Sequence, residues 1–113
     1  MADKFGRPSW DDYFMALAMT VTTRSLDKNT KHACLLVDDK HRIISLGYNG
    51  PPKKAVDENV PTEGVAKYPW FIHAEPNSIF NAKTCLEGAT AYITGRPCGP
   101  CFSFLLQVGV KRV

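Results

Sequence analysis

The sequence feature that most limits how this chain can fold is a set of three candidate metal ligands in two separate segments. His73 stands in the first segment, and Cys98 and Cys101 stand in the second. One imidazole and two thiolates can fill three corners of a tetrahedral zinc site, and the fourth corner can hold water. The fold must therefore bring these two segments together around a single ion.

Each of the three residues is predicted to lie at the start of a helix, where unpaired backbone amides favour a thiolate over a thiol. Glu75 follows His73 by two residues, so its carboxylate can face the same ion. A fourth protein ligand would close the site. We therefore interpret Glu75 as a proton shuttle beside a metal-activated nucleophile.

The first half of the chain predicts a helix followed by a β-hairpin. Apolar residues recur at helical spacing from about Trp10 to Arg24, after a capping residue at Ser9. The apolar run from Ala33 to Val37 predicts a buried strand, and Ile43 to Tyr48 predicts the returning strand. A long loop is then predicted from Asn49 to about Trp70.

The second half predicts helices and strands in alternation. In chain order we expect a helix from about His73 to Ala82 or Lys83, a strand from Ala89 to Thr94, a helix from Pro97 through Val108, and the beginning of a fourth strand at Val110 to Val113. This order predicts an α/β fold with parallel pairing in its later half. A length of 113 residues predicts a single domain over residues 1–113.

Charge and composition indicate which kinds of molecule the protein is expected to bind. The net charge of +3 suits a site for a small phosphate-bearing molecule and is too weak to predict binding to duplex DNA. Met1 to Asp12 lacks the apolar stretch of a secretory signal, and no run is long enough to span a membrane. We therefore expect a cytoplasmic protein without a membrane or a stable nucleic-acid partner.

Two motifs together resemble the cytidine and deoxycytidylate deaminase superfamily. They are His73-Ala74-Glu75 and Pro97-Cys98-Gly99-Pro100-Cys101, which match the H-x-E and P-C-x-x-C signature of zinc deaminases. The segments Ile44 to Gly50, Lys67 to Glu75 and Leu86 to Thr94 are similar to the deoxycytidylate branch. The resemblance extends over nearly the whole chain from Trp10 to Val113.

The resemblance implies a three-layer α/β/α sandwich with a mixed central sheet, assembled as a homo-oligomer. It implies hydrolytic deamination of dCMP to dUMP and ammonia, which would supply thymidylate synthesis. His73, Cys98 and Cys101 would hold one zinc ion per chain, and Glu75 would be the catalytic residue. Family members usually continue beyond the position of Val113, so the predicted domain is compatible with the loss of C-terminal elements.

The resemblance also implies contacts with the nucleotide. Asn49 would hydrogen-bond the sugar or the nearby phosphate, the backbone of Ala74 would hold the base carbonyl, and Arg24 would contact the phosphate. Arg96 stands where an aromatic or small residue is more common. Its side chain either reaches a phosphate or faces water.

A second nucleotide site is a further implication. The deoxycytidylate branch commonly responds to dCTP and dTTP, often together with Mg²⁺. Candidate contacts to such an effector, or to a phosphate, are Ser25, Lys31, Gly47, Tyr48 and Gly50.

Several alternatives stay open. Within the superfamily the competing substrates are cytidine, a riboflavin-pathway pyrimidine and adenosine in tRNA. Cys98-Gly99-Pro100-Cys101 is also the dithiol motif of thioredoxin-like oxidoreductases, although too few residues follow it to complete that fold. The non-enzyme alternative is a zinc-stabilised binding module, but a closed structural site normally has four protein ligands.

Overall fold

A three-stranded sheet lies at the centre of the fold. The computed structural model describes residues 3–53 and 71–113. The strands are β1 (Ala33–Val37), β2 (Ile43–Tyr48) and β3 (Thr90–Ile93). Their order in the sheet is β2–β1–β3, and both neighbouring pairs are antiparallel. The predicted hairpin is confirmed, and its first strand occupies the middle of the sheet.

The central strand β1 is buried along its whole length, because helices cover both of its faces. Leu35 and Val37 point to one face, where they pack against Phe14 and Ala18 of α1 (Trp10–Val21). Alternate side chains of a strand point to opposite faces. The neighbouring residues of β1 therefore face the other layer.

The second layer of helices consists of α2 (Ala74–Asn81) and α3 (Gly99–Gln107). Cys34 and Leu36 of β1 belong to this side of the core, together with Ala74 of α2 and Leu105 of α3. The order helix, sheet, helices confirms the predicted three-layer α/β/α sandwich. The two helices that cover this face are also the two predicted to carry the metal ligands.

The first helix is shorter than predicted. It ends at Val21, and Thr22–Arg24 form a 3-10 turn instead of continuing the α-helix. The hydroxyl of Thr22 donates to the carbonyl of Met19, and that of Thr23 donates to the carbonyl of Thr20. Such local bonds compete with the regular helical pattern and tighten the last turn.

The end of the chain forms less sheet than predicted. In place of a strand over residues 110–113, one parallel bridge joins Thr90 to Arg112. The amide of Ala91 donates to the carbonyl of Arg112 at 2.8 Å, and the amide of Lys111 donates to the carbonyl of Ala89 at 2.9 Å. This bridge supplies the parallel pairing expected in the later half, whereas β3 itself runs antiparallel to β1.

Asp11 of α1 ties the last residues of the chain to the first helix. Its carboxylate lies 2.6 Å from the guanidinium of Arg112 and accepts a hydrogen bond from the hydroxyl of Tyr92 at 2.7 Å. The hydrogen bonds from Arg112 and then Tyr92 lower the pKa of Asp11 to about 2. Asp11 is therefore ionised, as its ion pair with Arg112 requires, throughout the physiological pH range.

Helix α2 is held directly on the neighbouring strand β2. A Cβ at Gly47 would lie 2.5 Å from the backbone nitrogen of Ser78, so only glycine permits this approach. The side-chain amide of Asn77 donates to the carbonyl of Tyr48 at 2.7 Å. The first turn of α2, which carries the candidate catalytic residue, is thus fixed against the sheet.

The predicted loop from Asn49 to Trp70 falls largely on residues 54–70, which lie outside the described residues. The chain segments on either side of residues 54–70 are hydrogen-bonded to each other. Gly50 and Ile72 exchange backbone hydrogen bonds of 3.0 and 2.7 Å. This bridge holds the chain immediately before α2 against the end of β2.

Candidate metal centre and adjoining cavity

The three predicted ligands converge on one point. The Nδ1 atom of His73 lies 3.3 Å from the sulfur of Cys101 and 3.6 Å from the sulfur of Cys98. Within the described part of the chain, these three residues can share one ion, because their ligand atoms all lie within 4.8 Å of one another. Tetrahedral zinc with ordinary bond lengths separates nitrogen and sulfur ligands by about 3.5 Å. Both the donor set and its spacing therefore fit zinc.

The starts of α2 and α3 place these ligands. His73 is the N-terminal capping residue of α2, and Cys98 is the capping residue of α3. Pro100 stands in the first turn of α3, where the amide that it lacks has no partner within the helix. Cys101 follows in the same turn and is buried. The prediction that each ligand stands at the start of a helix is confirmed.

The electrostatics of Cys101 depend on the presence of an ion. Burial, a hydrogen bond with Cys98 and the negative charge of Glu75 together raise the pKa of the Cys101 thiol well above its usual value. A dication at this point would have the opposite effect, since it stabilises the thiolate. Occupation of the site by zinc is thus coupled to the release of thiol protons.

Glu75 lies in the first turn of α2, with only 6% of its surface exposed. It lines the same cavity as His73 and Cys98. Among residues 3–53 and 71–113 no hydrogen bond reaches its carboxylate. A buried carboxylate of this kind, next to a candidate metal centre, is suited to proton transfer.

The metal cavity is the space of about 230 Å³ beside these ligands. Its wall includes Asn49, Ala74 and Arg96 in addition to His73, Glu75 and Cys98. Ala74 therefore lines the same cavity as Glu75. Its predicted contact with the base carbonyl stays a prediction.

Asn49 belongs to the cavity wall, but its side-chain amide is hydrogen-bonded to other groups of the protein. Its Oδ1 atom accepts hydrogen bonds from the hydroxyl of Ser25 and the amide of His32, each at 2.9 Å. Its Nδ2 atom donates to Asp27 at 3.2 Å and to the carbonyl of Thr30 at 2.9 Å. Asn49 thus holds the wall together, and its predicted sugar contact stays a prediction.

Arg24, the predicted phosphate contact, lies elsewhere. It lines a second cavity of about 380 Å³, together with Tyr48, Lys53 and Asn77. It is not among the described residues that line the metal cavity. The reason is that the 3-10 turn carries residue 24 toward the outer side of β2 and α2.

Most of the candidate effector contacts are engaged in packing or hydrogen bonds within the protein. The amine of Lys31 donates to the carbonyl of Ser25, and the hydroxyl of Ser25 is bonded to Asn49. Gly47 packs on the backbone of α2, and Gly50 pairs with Ile72. Of the five candidates, Ser25 and Tyr48 line the second cavity.

Six residues of the metal-cavity wall are not among the site residues predicted from the sequence: Asp27, Thr30, His32, Phe71, Ile93 and Gly95. Asp27, Thr30 and His32 reach the cavity because the segment between α1 and β1 folds around Asn49. A buried, hydrogen-bonded aspartate of this kind has no local signal in the sequence.

Comparison with known proteins places this arrangement in context. Residues 8–113 match a family described as the cytidine and deoxycytidylate deaminase zinc-binding region. The chain is 35% identical over 111 residues to the deoxycytidylate deaminase of Pongo abelii, in an alignment that covers 92% of this chain and 62% of that protein. It is 31% identical over 121 residues to the deoxycytidylate deaminase of Mycobacterium phage D29, covering 95% of this chain and 94% of that protein.

The fold is similar to a solved one. The dCMP deaminase of the cyanophage S-TIM5, in its apo form, matches with a TM-score of 0.78 and 24% identity, covering 93% of this chain and 80% of that chain. This likeness concerns the fold alone. The chain spans less than two thirds of the length of the Pongo abelii relative.

Proposed function

The chain belongs to the cytidine and deoxycytidylate deaminase family, and from this premise we propose that it catalyses the zinc-dependent hydrolysis of dCMP to dUMP and ammonia. The observation that carries the proposal is the convergence of His73, Cys98 and Cys101 beside the buried carboxylate of Glu75. The relatives named as deoxycytidylate deaminases support dCMP as the substrate.

The proposed chemistry divides between the ion and the protein. When bound, zinc supplies a Lewis acid that makes water a better nucleophile near neutral pH. Glu75 accepts a proton from the attacking water and delivers it to the ring nitrogen next to C4 of cytosine. A bond forms between C4 and the water oxygen. The C4 hydroxyl then gives up its remaining proton, which Glu75 passes to the amino group. The bond from C4 to that nitrogen breaks, ammonia leaves, and C4 becomes the carbonyl carbon of dUMP.

Geometry disfavours the two rivals from other classes. A dithiol oxidoreductase does not require a histidine, whereas here the imidazole of His73 lies 3.3 Å from the Cys101 sulfur. A structural zinc site is normally closed by four protein ligands, and the described residues bring three together. The Glu75 carboxylate accepts no hydrogen bond from the described residues, and a binding module would not require a buried carboxylate there.

The direct test is a substrate panel. Ammonia release is measured with zinc-loaded protein and dCMP, dCTP, deoxycytidine, cytidine or a tRNA. We expect the highest kcat/KM with dCMP. A preference for another of these compounds would overturn the substrate but not the reaction class. Zinc-loaded protein that releases ammonia from none of them would overturn the enzyme assignment.

Regulation and location stay predictions. Regulation by dCTP and dTTP and a role for Mg²⁺ rest on the resemblance of the residues around Gly47 and Tyr48 to the deoxycytidylate branch. A hyperbolic rate curve that neither nucleotide alters would contradict regulation. The described segments contain no helix long and apolar enough to cross a bilayer. The cytoplasmic location also stays a prediction.

We further propose that the homo-oligomer forms through the outer face of α2 and α3. Phe80 and Phe104 are 68% and 48% exposed there. An apolar hollow lined by Pro76, Ile79, Phe80, Phe104 and Val108 lies in the same face. Aromatic rings beside an apolar hollow on one surface are suited to a second copy of the chain, since a two-fold axis pairs the surface with itself.

Replacing Phe80 by aspartate should shift the protein to monomers, because a charge in the paired apolar surface is costly to desolvate. Light scattering after size exclusion measures the change in mass. Phe5→Asp is the matched control, since Phe5 is exposed in the N-terminal segment and should leave assembly intact. A monomeric parent protein, or an assembled Phe80→Asp variant, would refute this interface.

A further inference from the structure

The charges around the metal cavity are unequal. Its described wall contains two carboxyl groups, from Glu75 and Asp27, and one guanidinium, from Arg96. Asp27 is buried and accepts hydrogen bonds from the amides of Asn29 and Thr30 at 2.8 and 3.0 Å. A phosphate monoester is an anion near neutral pH, so a cation in the cavity wall would attract it. Among the described wall residues, Arg96 supplies the guanidinium that can do so.

Arg96 is fixed at the rim by the loop between β3 and α3. On one side of the loop, the amide of Thr94 donates to the carbonyl of Ala33 at 3.1 Å, and its hydroxyl accepts from the Ala33 amide at 3.0 Å. On the other side, Cys98 caps α3. At Gly95 a Cβ would lie 2.4 Å from the ring of His32, so the loop runs directly against that imidazole.

The guanidinium of Arg96 is exposed, and among residues 3–53 and 71–113 it has no hydrogen-bond or ion-pair partner. Three other arginines differ in this respect. Arg7, Arg42 and Arg112 pair with aspartates at 2.7, 2.7 and 2.6 Å. The donors of Arg96 are thus available to a ligand. A guanidinium matches the geometry of phosphate oxygens with two parallel hydrogen bonds.

From these observations we infer that Arg96 binds the 5′-phosphate of the substrate and makes this site prefer nucleotides to nucleosides. This inference rests on the proposed function. It replaces Arg24 with Arg96 as the phosphate contact, because Arg24 lines the other cavity. Arg96 acts on substrate binding and has no part in proton transfer.

The test compares dCMP with deoxycytidine in the zinc-loaded protein. Arg96→Gln should lower kcat/KM for dCMP by about 10- to 100-fold, as expected for the loss of a charge-assisted hydrogen bond. It should leave kcat/KM for deoxycytidine nearly unchanged, because the nucleoside lacks the phosphate. Arg96→Lys keeps the positive charge but cannot form two parallel hydrogen bonds, so its kcat/KM for dCMP should lie between those of the parent protein and Arg96→Gln. Arg42→Gln, in the distant hairpin, is the matched control, and it should leave kcat/KM unchanged for both dCMP and deoxycytidine.

An equal fall with both substrates would overturn the inference, since it would indicate a general effect on the site. A selective loss of dCMP activity in Arg24→Gln and not in Arg96→Gln would overturn it as well. Equilibrium binding of dCMP and deoxycytidine separates this inference from the proposed function. If the parent protein released no ammonia, the proposed deaminase function would be refuted. Selectively weaker dCMP binding by Arg96→Gln would still support the phosphate contact, and unselective binding would refute it.

Discussion

Replacing Glu75 by glutamine should lower kcat for dCMP deamination by about 10²- to 10⁴-fold, the range that a positioned general acid–base contributes. Glutamine has nearly the same shape but cannot carry a proton between the water and the ring. Glu75 is 6% exposed and lines the same cavity as the metal ligands His73 and Cys98. The measurement is steady-state ammonia release, with zinc content determined on the same preparation.

Zinc content is the internal check on this variant, because Glu75 is not one of the three converging ligands. We expect Glu75→Gln to retain its metal. Glu87→Gln is the matched control, since Glu87 lies in an exposed position outside the cavity wall described above. If Glu75→Gln were as active as the parent protein, the proton-shuttle role would be wrong.

Replacing Cys101 by serine should remove the zinc and with it the activity. The thiolate is one of three protein ligands, and a neutral hydroxyl is a much weaker ligand for zinc. Loss of the Lewis acid should lower kcat/KM by about 10³-fold or more, since it contributes several kcal/mol to the reaction. Metal analysis and ammonia release measure the two effects together.

The melting temperature should fall as well, because a metal that binds only the folded chain stabilises it. Cys85→Ser is the control. Cys85 is exposed, and it is not among the converging ligands of the described residues. A Cys101→Ser variant with full zinc content and unchanged turnover would show that Cys101 is not a ligand.

The metal centre could be predicted from the sequence because its signals are local. His73 and Cys98 each cap a helix, and a short motif surrounds each one. The burial of Ala33 to Val37 was equally visible, since five apolar residues between polar flanks predict a strand covered on both faces. These features depend on neighbours within a few residues.

The cavity wall could not be predicted in the same way. Asn49 is bonded to Ser25, Asp27 and Thr30, which lie about twenty positions earlier and approach only after folding. Arg24 and Arg96 are alike as isolated residues, but the 3-10 turn and the β3–α3 loop direct them to different cavities. The last residues of the chain are apolar enough to predict a strand, but they pair with β3 through a single bridge between Thr90 and Arg112.

The account rests on one zinc ion held by one imidazole and two thiolates, with a fourth position left for a ligand that is not protein. X-ray absorption at the zinc edge on the purified protein measures this most directly. We predict two sulfur neighbours at about 2.3 Å and two nitrogen or oxygen neighbours at about 2.0 Å. Four sulfur neighbours, or a protein that binds no zinc, would contradict it.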